Sequence, residues 1–516
     1  MKKGQIILTL AVSLCAASAA WAQGEEPPAP SPVPAFGQDN PAPAVGENPP
    51  ISAIDQPGLE PHAAPESFLL PGLHFSESAD SNVGGSLGGY SVSPVTRALG
   101  SLTLQKLWRN YAVAMDYIGG VVYYDQKGIG LEQLHQFDID NRINWKRGQL
   151  AIRDSFSYLP EGNFGFAAYG GSGAYNSSLG SSLGSSMLGA SAFGGQTSAF
   201  YGGGGVSVGE VPRLTNQALA DVVESLSPKS SVTLSAGYGI VHFYGNLTSL
   251  TGAPANVSFI GSSEETVQFG YDRTLNAKDQ VAVSYGYQGF SFSTEGTATH
   301  SHVLQALYAH RVSGRMDFTI GAGPQFTHIS ENAAICTFLG IPLNVPTNNC
   351  TAFGGTFVLV PQAANHIGAA GRVSLRYRFT KASVSLSYSR FNTSGSGFFA
   401  GSRSDILLFD GQRPLSRVWD LFGDVGYSRN SRLQAGGTSV AANNFSYVYA
   451  GVGLHRQFGR SLRGFVSYQF NDLSFDSACP LPAGSLGSPT LGCSSRSQRH
   501  VGSIGLDWNP RPIRLD

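Results

Sequence analysis

The chain has 516 residues, of which 41% are hydrophobic and only 13% charged, with a net charge of −1. That balance excludes the basic footprint of a nucleic-acid binder. A charged share about half the usual one, with 65 glycines, 21 tyrosines and 30 phenylalanines, suits a chain lying in lipid. No segment beyond the N-terminus is long and apolar enough for a membrane helix, so a membrane protein of this sequence must be a closed barrel, since only helices and closed barrels satisfy the backbone in lipid.

Residues 1–22 read as a secretory signal, with Lys2 and Lys3 as the charged region, Ile6 to Ala20 as the apolar region and Ala20-Trp21-Ala22 as the small-residue cleavage motif. An inner-membrane anchor is the alternative, but the apolar run is short for a spanning helix. Cys15 is not a lipoprotein cysteine, because Leu14 stands where that motif needs a small residue. Residues 23–66 carry twelve prolines and little that could pack, which predicts a disordered or semi-rigid tether.

From Ser67 onward, period-two alternation predicts eighteen strands, at 68–80, 99–108, 111–124, 135–145, 149–159, 214–227, 231–244, 263–275, 280–292, 301–312, 315–328, 366–379, 382–392, 403–412, 417–429, 445–457, 462–475 and 498–508. Tight turns such as Arg109-Asn110, Arg147-Gly148, Ser313-Gly314 and Gly459-Arg460 follow even-numbered strands, and long connections follow odd-numbered ones, with extremes at 160–213 and 329–365. Short turns at one end, long loops at the other and an even strand count define a transmembrane antiparallel β-barrel. The fold class is therefore all-β, with eighteen strands (sixteen as the alternative) over 67–509 and a periplasmic tail at 510–516. The connection at 160–213 is external and rich in Gly and Ser, and its aromatic residues leave open a fold into the lumen.

The faces are legible along each strand. Phe137, Ile139, Ile143 and Trp145 face lipid, while Asp138, Asp140, Arg142 and Asn144 face the lumen. Val373, Leu375, Tyr377 and Phe379 face out, and Arg372, Ser374, Arg376 and Arg378 face in. Asp154 falls on the apolar face with Ile152 and Phe156, which calls for a bulge or a shift in register. Asp138 and Asp140 on the fourth strand oppose Arg372 and Arg376 on the twelfth, so two walls of unlike charge are expected across the lumen. Trp108, Trp145, Trp419 and Trp508 all fall at the tight-turn end, as expected of an interfacial aromatic rim. Cys336/Cys350 and Cys479/Cys493, each pair in a long connection, read as two loop disulfides in an oxidising compartment. Their spacing is not that of a zinc site.

This pattern resembles the Gram-negative outer-membrane porin-like β-barrels, through the signal peptide, the alternation of turns and loops, the aromatic rim and a last strand ending in Trp508. In many such proteins the terminal aromatic closes the chain; here eight residues follow it. The resemblance implies residence in the outer membrane with both termini periplasmic, contact with outer-membrane lipid and passage through the barrel assembly machinery. It also implies passive diffusion of small polar solutes or ions. A non-conducting surface or binding barrel, or a conduit for polymer export, is the alternative. No nucleophile–base triad, acidic dyad or phosphate loop is present, so no enzyme activity, cofactor or metal is expected. The His300/His302 pair has strand spacing and reads as solvated rim rather than as a metal site.

Overall fold

The computed structural model describes residues 50–52, 67–83, 91–125, 130–160, 212–244, 260–293, 297–338, 341–342, 356–394, 400–433, 444–476 and 496–515, all within one compact unit. Eighteen wall strands run in chain order: β1 (Phe68–Asp80), β2 (Ser93–Leu107), β3 (Tyr111–Tyr124), β4 (Gly130–Trp145), β5 (Gly148–Leu159), β6 (Arg213–Ser227), β7 (Ser230–Phe243), β8 (Ser262–Thr274), β9 (Asp279–Phe292), β10 (Ala298–Ser313), β11 (Met316–Phe338), β12 (Thr356–Arg378), β13 (Ser383–Thr393), β14 (Ser402–Pro414), β15 (Trp419–Arg432), β16 (Asn444–Gln457), β17 (Leu462–Phe475) and β18 (Arg496–Trp508). Each pairs antiparallel with its neighbour in sequence. The sheet closes where Leu73–Asp80 of β1 runs against Trp508–Val501 of β18. Among the described residues no helix is long and apolar enough to cross a membrane.

The strands form because β-branched and aromatic residues alternate with small polar ones. On β9, Val283 and Tyr285 are exposed on the outer face while Gln280, Ser284 and Gln288 are buried on the inner one. Tight turns follow every even-numbered strand from β2 to β16, as the spacing predicts. Local chemistry sets them: the amides of Lys278 and Asp279 donate to Asn276 Oδ1 at 2.7 and 3.0 Å, an Asx turn. Gly459 supplies a positive φ of 152° between β16 and β17.

Two features differ from the sequence reading, and a third adds to it. The stretch expected as an external connection at 329–365 carries β11 and β12 onward as a paired hairpin, with Ile335 opposite Val358 and Thr337 opposite Thr356. Its β-branched run Thr356, Val358 and Val360 favours continued pairing. One contact is added beyond that reading, since Ile513–Arg514 of the tail pairs with Phe68–Leu69 of β1. At Asp154 there is neither bulge nor slip, because the ladders to β4 and β6 run through it without interruption. Asp154 does face outward, and Asn216 Nδ2 on β6 donates to its Oδ1 at 3.1 Å. The hydrogen bond comes from the neighbouring strand, so one strand's pattern could not show it.

The seam between the chain's two ends is pinned from inside. Arg499 of β18 donates to Asp80 Oδ2 of β1, at 2.7 Å from Nε and also from Nη2. His74 Nδ1 lies 3.0 Å from Asp507 Oδ1, and its Nε2 lies 2.8 Å from Ser101 Oγ.

Candidate functional site

The inner wall carries the ionised side chains. The turn at Lys146-Arg147 closes β4 onto β5, and five residues back on each strand it sets Asp140 opposite Arg153. Asp140 Oδ2 then accepts from Arg142 Nη2 at 2.9 Å and Arg153 Nε at 3.2 Å, with all three side chains no more than 3% exposed. Charges this deeply desolvated are tolerable only when paired. Asp138 accepts from Ser155 Oγ at 2.5 Å. It sits in register with Asp116 of β3, which accepts from Thr103 Oγ1 at 2.7 Å.

Eight strands round the ring, β12 presents Arg372, Arg376 and Arg378 on its inner face. Arg376 grips Asp317 of β11 through two parallel bonds, Nε to Oδ1 at 3.0 Å and Nη2 to Oδ2 at 3.2 Å, the fork geometry that suits guanidinium to carboxylate. Arg378 stands at the strand's turn end, in register with Ser383. Each cluster is thus largely paired within itself, and the field across the lumen is weaker than the bare residue types suggest. Sequence reading missed Arg153 and Asp317. Arg153 was within reach, by counting back from the β4–β5 turn. Asp317 was not, because a long connection separates it from Arg376.

Arg372 Nη2 donates to the carbonyl of Ile51 at 2.8 Å. Ile51 and Ser52 belong to the stretch expected as a tether, and both are buried against the inner wall. The Ser52 amide donates to Asp272 Oδ1 at 3.0 Å, and its hydroxyl lies 2.7 Å from Thr233 Oγ1 and bonds to Asp272 Oδ2. Gln268 Nε2 donates to the Ser52 carbonyl at 2.8 Å. No periodic signal in the sequence connects residues 220 positions apart.

Other inward polar side chains are also covered. Gln105, Gln217, Gln305, Gln325 and Gln469 are all buried, whereas the wall of an open water column would leave them wet. At the loop end of β2 to β5, inward Val95, Leu99, Ile118, Val122, Tyr124 and Leu134 form an apolar cluster.

The four tryptophans lie on the outer surface at the tight-turn end. Trp145 Nε1 donates to Glu224 at 2.7 Å, and the Arg456 guanidinium stands 5.2 Å from the Trp419 ring centroid. Lys106 Nζ stands 6.0 Å from that of Trp108, and Trp508 is exposed. His300 and His302 face outward, hydrogen-bonded through Nδ1 to Tyr287 at 2.9 Å and Tyr285 at 2.8 Å. Tyr117 with His135 and Tyr468 with His500 repeat that cross-strand pair elsewhere on the surface. Among the described residues no group of three or more His, Cys, Asp or Glu could hold a metal ion. The Cys336 side chain and Cys350, Cys479 and Cys493 lie outside the described residues.

A closed antiparallel barrel with an apolar outer belt and a polar inner wall belongs to the transmembrane β-barrel class. No family model matches the chain, and no curated protein does. Among solved structures it is similar to the open form of the ferric-catecholate import receptor Fiu of E. coli K12, at 11% identity and a TM-score of 0.41, over 85% of this chain and 81% of that one. It is also similar to OpdL of Pseudomonas aeruginosa, at 10% identity and a TM-score of 0.35, over 87% and 99%. OpdK of Pseudomonas aeruginosa with vanillate gives 11% identity and a TM-score of 0.35, over 86% and 98%. Likeness at this level carries no information on solute.

Proposed function

We propose that this chain is an outer-membrane channel for passive diffusion of small polar solutes or ions, with both termini on the periplasmic side. The observation that carries this reading is the closed eighteen-strand ring, wide enough to hold an aqueous path, with ionised side chains around Asp140 and Arg376 on opposite inner walls. The Arg376–Asp317 pair stays partly exposed, at 24% and 12%, and ionised groups that face water keep it favourable along that wall, whereas the Asp140 cluster is paired and dry. The rim tryptophans sit at one headgroup layer, and outer-membrane lipid and the barrel assembly machinery are the implied partners.

Planar-bilayer recording tests this. Purified protein should give discrete conductance steps. Arg372→Ala with Arg376→Ala should shift ion selectivity toward cations, and Asp138→Asn with Asp140→Asn toward anions. Unchanged selectivity in both double variants would remove the charge clusters from the mechanism. Burial of the lumen glutamines favours a second reading, a non-conducting surface or binding barrel, and absence of any conductance would select it.

A further inference from the structure

The contacts of Ile51 and Ser52 have the character of a built site. Their backbone and hydroxyl groups are matched by four side chains from three separate strands. Asp272 and Gln268 of β8 take the Ser52 amide and carbonyl, Thr233 of β7 meets its hydroxyl, and Arg372 of β12 reaches the Ile51 carbonyl. Buried peptide groups are costly unless each finds a partner, and here the wall supplies them. The apolar side chain is matched as well. Ile51, 1% exposed, packs on Ala282 of β9 and Leu307 of β10, two apolar side chains on an inner wall where Ser, Thr and Gln otherwise prevail.

The wall itself is cut to this shape. Gly270 lies in the middle of β8 on the inner face, where a glycine weakens a strand unless something approaches closely. A Cβ there would stand 2.6 Å from Ser52 Cβ and 2.5 Å from Thr233 Oγ1, and would collide with Ser52 Oγ. The Ser52 side chain occupies the space that the missing Cβ leaves.

We propose that the inner wall formed by β7 to β12 is a peptide-binding site for an uncharged segment with an apolar residue followed by a small hydroxyl residue, and that its resident ligand is this chain's own Pro50–Ser52. The site lies toward the tight-turn end, since Asp272 is two residues from the end of β8 and Thr233 three from the start of β7. Occupied, it ties the N-terminal stretch to the inside of the barrel and narrows the lumen at the level of Arg372. The assignment stands whether or not the barrel conducts.

Cross-linking in the full-length, membrane-inserted protein tests it. Ser52→Cys with Thr233→Cys is oxidised with copper phenanthroline, digested and mapped by mass spectrometry. Ser157→Cys with Thr215→Cys, whose native hydroxyls lie 2.5 Å apart on adjacent inner strands, serves as the control pair. Both pairs should link in most molecules. A control that links while residues 52 and 233 do not would overturn the proposal. Adding Gly270→Val to the first pair should cut its cross-link at least fivefold, because the new side chain fills the seat, and adding Asp272→Ala should lower it also. Undiminished linking in either triple variant, in barrels that remain heat-modifiable, would equally overturn it. A protein that cross-links as expected yet passes no current refutes the channel reading and leaves the site in place.

Discussion

Replacing Asp140 by alanine should be among the most damaging single changes in the wall. Asp140 lies between Arg142 and Arg153, and all three side chains are almost wholly removed from solvent. Removing the carboxylate leaves two guanidiniums facing each other without their shared counter-ion. Breaking a buried pair from one side costs about 3–5 kcal/mol, against roughly 0.2–1 kcal/mol for an exposed pair. Urea titration in phospholipid vesicles, followed by tryptophan fluorescence and electrophoretic heat-modifiability, reads the difference as a lower midpoint at unchanged slope. Asp140→Leu combined with Arg142→Met and Arg153→Leu should recover most of the loss, because apolar groups of similar volume replace a buried ionic cluster at little or no cost. A loss below about 1 kcal/mol for Asp140→Ala, the level of an exposed pair, would refute the argument. It would mean that water reaches Arg153 despite its burial.

Two further outcomes are expected. Cys336–Cys350 and Cys479–Cys493 should be disulfides, each contributing about 3 kcal/mol in the chain-entropy account; an impermeant thiol reagent should label intact cells only after reduction, and a Cys336–Cys479 link would contradict the loop assignment. Asp154→Leu should stabilise the barrel in vesicles by about 1 kcal/mol, since an outward carboxylate near mid-strand is unfavourable against lipid; destabilisation would show that the Asp154–Asn216 bond outweighs that cost.

The architecture was legible because barrel geometry is written in short-range pattern. Period-two alternation fixed which way Asp138 and Arg376 point, and the order of short and long connections fixed the strand count. What was not legible depends on registers that no local turn sets. The continuation of β11 and β12 past Ile329 and Ala364 rests on pairing across a long connection. The Arg376–Asp317 fork rests on the same ladder. Asp154 looked misplaced because its partner Asn216 lies beyond a 53-residue connection between β5 and β6 on the next strand. The Ser52 seat is further still from view, since a proline-rich composition argues against packing and Gly270 reads simply as a weak strand residue.

The ladder between β1 and β18 has a consequence for assembly. Every other wall ladder joins strands that follow one another along the chain, so those pairings zip locally. This one unites Leu73 with Trp508, and closing a chain segment of that length costs about 5 kcal/mol of entropy beyond a constant. Until it forms, the sheet has two open edges, each a template for a strand of another molecule. The ion pair of Asp80 with Arg499 and the contact of His74 with Asp507 therefore act at the step that separates a monomeric barrel from edge-to-edge aggregation. Ile513–Arg514 already runs beside Phe68–Leu69, so the two ends of the wall are near enough for a short splice. A circular permutant joined there and opened at the Asn276–Asp279 turn would convert the seam into a hairpin and move the vulnerable edges to β8 and β9, with every pairing between wall strands other than β8 and β9 retained.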